Sequence, residues 1–175
     1  MTCDKFHDEC GVVGIYHPDK EKNVSSYLYY GLFALQHRGQ ESAGIAVSRN
    51  KKINLYKDDG LVSDVFKGSQ LKKLKGNVGI GHVRYPTSGG RGVVNSQPLF
   101  VNIKNLDIAL AHNGNLINDQ ALREMLEDSG VVFQTTIDTE VMVDILARGL
   151  RHGLVESIQR MVEIIKGAYA LVIMM

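Results

Sequence analysis

Cysteine is scarce in this chain, concentrated basic charge is missing, and there is no long hydrophobic run. Each absence removes a class of protein. The two cysteines, Cys3 and Cys10, are too few for the disulfide framework of a small secreted domain, so a cytoplasmic, reducing setting is expected. Cys3, His7 and Cys10 lack the further thiolates that a zinc site of that kind needs, and no metal is expected there. Twenty Lys and Arg against nineteen Asp and Glu leave a formal charge of +1, with KKLK at 72–75 the most basic stretch. That pattern argues against a nucleic-acid partner. No apolar stretch approaches the ~20 residues of a membrane span. MTCDKFHDE carries acids where a secretory signal carries an apolar core, so no membrane partner is expected.

What is present is a 175-residue chain, 44% hydrophobic and 22% charged, long enough to bury one core without staples. Eighteen glycines and three prolines divide it into short segments. CGVVGIY (10–16) reads as a buried strand. The stretch 23–39 reads as a helix stopping at Gly39, with Asn23 or Ser25 as cap. AGIAVS (43–48) and KINLYKD (52–58) form a hairpin through RNK. Residues 61–76 have helical periodicity weakened at Gly68. NVGIGHVRY (77–85) is strand-like and enters the Gly- and Pro-rich loop 86–98, and LFVNI (99–103) with LDIALAHN (106–113) reads as a second hairpin. Helical patterns over 118–130, 138–150 and 154–167 precede a final apolar strand, AYALVIMM, that stops without a turn signal, as in a fragment cut near a strand. The order lacks a regular βαβ alternation, so antiparallel sheets covered by helices, an α+β class, are expected.

Several polar groups stand at the ends of these elements, where rigid scaffolds tend to carry function. Arg84 ends a strand before a glycine-rich loop; His112, Asn113, Gly114 and Asn115 end another. Asp138 opens a helix, and Arg38 and Gly39 close one. Each has a plain structural reading. Asn113–Gly114 fits a type I′ turn, Asp138 an N-cap and Arg38 a helix C-terminus. Loop 86–98 fits a mobile surface segment, Cys10 an inert core residue, and His82 and His112 core histidines.

Taken as a set they fit a reaction. A cysteine at a chain terminus carries its own base, an α-amino group with a pKa of about 7.7–8.0. An Asn amide and a Gly N–H can form an oxyanion hole. An Arg suits a carboxylate and an Asp an ammonium. Such a site fits an amino acid cleaved at a side-chain amide, with glutamine the obvious candidate.

The stretches ECGVVGI, LQHRGQESAGIA, GHVRYPTSGG, NSQPL, LAHNGNLIN and TIDTEV together resemble the glutaminase domain of the amidophosphoribosyltransferase (glutamine phosphoribosylpyrophosphate amidotransferase) family. That domain is a class II glutamine amidotransferase of the N-terminal-nucleophile hydrolase type. The resemblance runs in order from Cys10 to the end of the chain. It implies a four-layer αββα sandwich, two antiparallel sheets between helical layers. It further implies residues 1–9 as a leader removed to expose Cys10, and 10–175 as the amidotransferase domain without its C-terminal phosphoribosyltransferase domain. By the same resemblance Cys10 is the nucleophile and Asn113 with Gly114 the oxyanion hole. Arg84 holds the α-carboxylate of L-glutamine and Asp138 its amine. Thr87, in a loop freed by glycines at 89, 90 and 92, closes over the substrate, and Arg38 and Gly39 line the pocket.

The implied function is ammonia supply, through a γ-glutamyl thioester, for 5-phosphoribosylamine formation from phosphoribosyl pyrophosphate, the first step of purine synthesis. No cofactor is expected within this chain; magnesium and a 4Fe–4S cluster are implied for the full-length enzyme, as is a homo-oligomer, dimer or tetramer. The alternatives are the glutaminase domain of another class II amidotransferase (of glutamate synthase, glucosamine-phosphate synthase or asparagine synthetase type) and an inactive glutamine-sensing module. The nine residues before Cys10 argue against the second and third of these enzymes.

Overall fold

Alternation along the strands decides the architecture. In the computed structural model, which describes residues 10–85, 90, 92–103 and 105–175, the first sheet contains β1 (Gly11–Tyr16), β2 (Ser42–Arg49), β3 (Lys52–Asp59) and β4 (Val78–Arg84) in the order β1-β4-β2-β3, all antiparallel. The second contains β5 (Leu99–Ile103), β6 (Leu106–Leu116) and β7 (Gly167–Met174) in that order, also antiparallel. Successive side chains on a strand face opposite ways, and both sheets use this to separate two kinds of contact.

Outward, the first sheet presents Ala43, Ile45, Val47 and Val83 to α1 (Ser25–Ala34) and α2 (Val62–Val65), burying Leu28, Leu32, Val62 and Val65. The second presents Ile108 and Leu110 to α4 (Asp119–Asp128), α5 (Asp138–Gly149) and α6 (Leu154–Ile164), around Leu126, Met142, Leu146 and Met161. Inward, the sheets meet through smaller residues, Ala46, Ala109 and Ala111, with Ile80 and Met174. The result is helices, sheet, sheet, helices, the expected four layers. Each fully buried Leu or Ile in the two outer cores contributes roughly 1.5–3 kcal/mol relative to exposure.

Two elements differ from the sequence reading. The helix expected over 23–39 stops at Ala34 and continues as a tighter turn over Gln36–Arg38. Its N-cap is Val24, neither Asn23 nor Ser25, though Asn23 Oδ1 accepts the Ser25 N–H beside it. The periodic stretch 61–76 divides into α2 and the short α3 (Ser69–Lys73), because Gly68 has φ +32 and breaks the helical path. The hairpin through RNK forms as expected, with Asn50 and Lys51 both at positive φ, as a type I′ turn requires.

Candidate active site

The inward-facing alternation that places Val12 on β1 and Ile80 on β4 between the sheets also places Cys10, two residues before Val12, and Arg84, four after Ile80, there. Gly11 pairs with Val83, so the thiol and the guanidinium sit side by side at one end of the sheet interface. Cys10, Arg84, Gln97, His112, Gly114, Asn115, Ile137 and Asp138 line a common cavity of about 20 Å³.

Cys10 is buried, and its Sγ accepts the Tyr85 N–H at 3.3 Å. Burial pushes the thiol pKa up, and this outweighs the opposing effects of the Tyr85 backbone and the Arg84 charge. The Cys10 carbonyl accepts Arg38 Nε at 3.3 Å, so Arg38 reaches the candidate nucleophile's own backbone as well as ending a helix. Gly39 lies against β4: a Cβ there would come within 2.7 Å of the Val83 and Arg84 carbonyl carbons.

Arg84 is almost fully buried. Its Nη1 pairs with Glu41 Oε1 at 2.8 Å and donates to the Gly90 carbonyl at 3.3 Å, while its buried Nη2 has no hydrogen-bond partner among the described residues. Glu41 is held in turn by its backbone, its N–H donating to the Arg84 carbonyl.

Asn113 and Gly114 do not form a turn. Strand β6 continues through them to Leu116, pairing Asn113 with Ala170 and Gly114 with Tyr169 of β7. Gly114 has φ +142, and a Cβ there would lie 2.1 Å from the Ala168 carbonyl oxygen, so both backbone and space require glycine. Asn113 Oδ1 is buried without a partner among the described residues.

Asp138 opens α5 without acting as its N-cap, a position held by Ile137. Its Oδ1 accepts His112 Nδ1 at 3.2 Å and its Oδ2 accepts the Leu116 N–H at 3.0 Å. Burial alone would raise this carboxyl. The His112 hydrogen bond and charge, with backbone N–H groups of Leu116 and Thr139, outweigh that and hold it below the ordinary carboxylate range. His82 is completely buried and donates through Nε2 to the His112 carbonyl at 3.0 Å; burial, with nearby His112, Arg84 and Lys57, pushes its pKa down to about 3.

Cys10, Arg84, Gly114 and Asp138 are thus brought together from four separated segments, with Asn113, Arg38 and Gly39 adjoining them. Thr87 and Gly89 lie outside the described residues. Glu41, Gln97 and Ile137 were not singled out from the sequence. Only the strings around them, QHRGQESAG, NSQPL and TIDTEV, carried any signal.

Residues 91–175 match the family described as glutamine amidotransferase domain. The amidophosphoribosyltransferase of Methanothermobacter thermautotrophicus is 48% identical over 173 residues, covering 98% of this chain and 36% of that protein. The amidophosphoribosyltransferase of Bacillus subtilis is 45% identical, covering 97% and 35%. Over nearly its whole length the chain is similar to the glutamine amidotransferase region of amidophosphoribosyltransferases. Among solved structures, one described as the allosteric regulatory enzyme of purine biosynthesis matches with TM-score 0.86 and 44% identity, covering 93% of this chain and 35% of that one. Glutamine phosphoribosylpyrophosphate amidotransferase from B. subtilis, complexed with ADP and GMP, matches with TM-score 0.85 and 43% identity, over 93% and 34%. The chain therefore spans about a third of the length of the amidophosphoribosyltransferases it matches. The fold of these relatives agrees with the four layers described above.

Proposed function

We propose that the domain hydrolyses L-glutamine to glutamate and ammonia, the ammonia serving phosphoribosylamine formation in a full-length amidophosphoribosyltransferase. One observation carries the reading: Cys10, Arg84, Gly114 and Asp138, far apart in sequence, line one cavity.

In this reading removal of residues 1–9 frees the Cys10 α-amine, whose pKa of about 7.7–8.0 suits it to take the thiol proton. Burial favours the neutral thiol, so the proton is best removed as attack begins, by a base on the same residue. Sγ bonds to the side-chain amide carbon, and the carbonyl oxygen becomes an oxyanion facing the Gly114 N–H and the Asn113 amide. The C–N bond then breaks, the proton held by the α-amine goes to the leaving nitrogen, and ammonia departs from a γ-glutamyl thioester. Water attacks the thioester, Sγ leaves with a proton, and glutamate is released.

Arg84 Nη2, a buried donor without a partner among the described residues, is offered to the substrate α-carboxylate. Asp138, kept ionised by His112 and by backbone N–H groups, is offered to the ammonium. Arg38 fixes the Cys10 carbonyl, and Gly39 lets the 36–39 turn lie against β4. Thr87 is assigned to the loop that covers the substrate.

Among the described residues no group of three or more His, Cys, Asp or Glu side chains is placed to hold a metal ion. Magnesium and an iron–sulfur cluster belong, in this reading, to the full-length enzyme outside the described residues, and no step here runs through either. No helix among the described residues is long and apolar enough to cross a membrane. The phosphoribosyltransferase partner domain and a homo-oligomeric assembly belong to the same proposal.

The test is glutamate release from glutamine by the intact protein and by Cys10→Ala, with the mass of the purified protein reporting loss of residues 1–9. Cys10→Ala is expected to lose activity by at least about 10³-fold. Equal release by both proteins removes Cys10 as nucleophile.

A further inference from the structure

The cavity contains a side chain to which the mechanism above gives no role. Gln97 is 5% exposed and lines the same space as Cys10, Arg84 and Asp138. Its Oε1 accepts the His112 backbone N–H at 2.7 Å. A backbone N–H can only donate, so this bond fixes which end of the carboxamide is oxygen and leaves the NH₂ as the other polar end. That NH₂ has no hydrogen-bond partner among the described residues.

The backbone carrying Gln97 is anchored on three sides. Lys57 Nζ on β3 donates to the Ser96 carbonyl. Asn95 is buried, its Nδ2 donating to the Gly90 carbonyl at 2.6 Å and to Thr136 Oγ1 at 3.0 Å, its Oδ1 accepting the Thr136 N–H at 3.1 Å. Beneath, Gly44 of β2 lies so close to the Gln97 carbonyl that a Cβ there would come within 2.1 Å of its oxygen. Burial of Lys57 pushes its pKa down to about 8, with no carboxylate contributing. Its ammonium is therefore held by a carbonyl on a buried segment, not by an ion pair. This is considerable fastening for a residue that only fills space.

Arg84 leaves room for such a donor. Its Nη1 is taken by Glu41 and the Gly90 carbonyl, so the end-on Nη1/Nη2 fork is closed to a carboxylate and Nη2 is the terminal nitrogen left to meet it. We propose that Gln97 is a substrate-binding residue of this site. In this assignment, which rests on the glutaminase reading, its NH₂ donates to the α-carboxylate oxygen that Arg84 leaves free. Gln97 then acts in ground-state binding and discriminates for a carboxylate at that end of the substrate; it takes no part in thiol chemistry.

Gln97→Glu is the informative substitution, because it keeps an oxygen to accept the His112 N–H and replaces only the donor. Glutamine hydrolysis by the intact wild-type protein and by this variant is measured together with the rate of Cys10 alkylation by iodoacetamide, a neutral reagent that needs no carboxylate contact. The expected result is a KM for glutamine raised about tenfold or more, as for loss of a hydrogen bond to a charged group, with kcat and alkylation rate close to wild type. If the wild type is active and the variant keeps its KM, or loses kcat instead, the assignment of Gln97 is overturned while the glutaminase reading stands. If the wild type releases no glutamate, both fall. Should Gln97→Glu fail to fold, Gln97→Met decides the matter by the same KM comparison: a raised KM supports the contact and an unchanged one overturns it.

Discussion

At the scale of single residues, the site is organised by what each polar group is denied. Arg84 keeps Nη2 unclaimed while Glu41 takes Nη1, and Asp138 stays ionised because His112 and two backbone N–H groups offset its burial. His82 is denied its proton altogether, and this has a measurable consequence. The unfolded chain protonates this histidine near its ordinary pKa of about 6.5, whereas the folded protein refuses the proton until about pH 3. The unfolded state thus binds more protons between those limits, and stability falls as pH drops from about 6.5 towards 3. Asp138, held below the ordinary range, loses its contribution only as pH falls further, below about 3.8. His82→Gln retains a donor for the His112 carbonyl but does not titrate. In urea unfolding across that window its stability is expected to depend less on pH than the wild type's. An identical slope would show that another group governs the acid limb. Cys10, Arg84 and Asp138 were legible as candidates because their residue types fit a glutamine site as a set. Glu41 was not, since a Glu before Ser-Ala-Gly reads as an ordinary loop residue until β2 and β4 bring it to Arg84.

At the scale of elements, β6 carries most of the design. The pair Asn113–Gly114 resembles a hairpin turn in sequence, yet β7 pairs across it and keeps it extended. The information that overrides the local signal lies more than fifty residues downstream, in 167–174, and cannot be read from the pair itself. Gly114→Ala tests this placement. Its Cβ would collide with the Ala168 carbonyl and occupy a φ that L residues rarely adopt, so a loss of about 1–3 kcal/mol is expected. Glutamate release should fall further than that stability loss explains, because the N–H proposed to face the oxyanion is displaced. Chemical denaturation and kcat measured on the same preparation separate the two effects. The helices show the opposite case. The patterns over 118–130, 138–150 and 154–167 located α4, α5 and α6 well, since amphipathic periodicity is local, while the break at Gly68 emerged only as a weakening.

At the scale of the whole molecule, two apolar cores lie on opposite outer faces of the paired sheets and have no buried residue in common. Leu28→Ala, in the core beneath α1, and Leu146→Ala, in the core beneath α5, are each expected to cost about 2–5 kcal/mol. In the double variant the costs should add to within about 0.5 kcal/mol. A larger discrepancy in equilibrium unfolding would mean that the thin layer of alanines between the sheets transmits repacking from one side to the other. The α+β class was legible from the order of segments. The strand order β1-β4-β2-β3 was not, because alternation says that a strand has two faces and is silent on which strand lies beside it.

The apolar contacts between the sheets are non-directional, so the directional bonds that cross between the two plates set their register. The Cys10 thiol belongs to one plate and Asn113 and Gly114, the proposed oxyanion donors, to the other, so a slip of a single residue, about 3.3 Å, would separate them while leaving both sheets intact. The hydrogen bond from His82 to the His112 carbonyl acts as a dowel between the plates, set one residue from the donors it must align. A second pin, from the Ile53 N–H of β3 to Asp107 Oδ2 of β6 at 3.1 Å, stands near the other end of β6, so shear between the two sheets is resisted at two points.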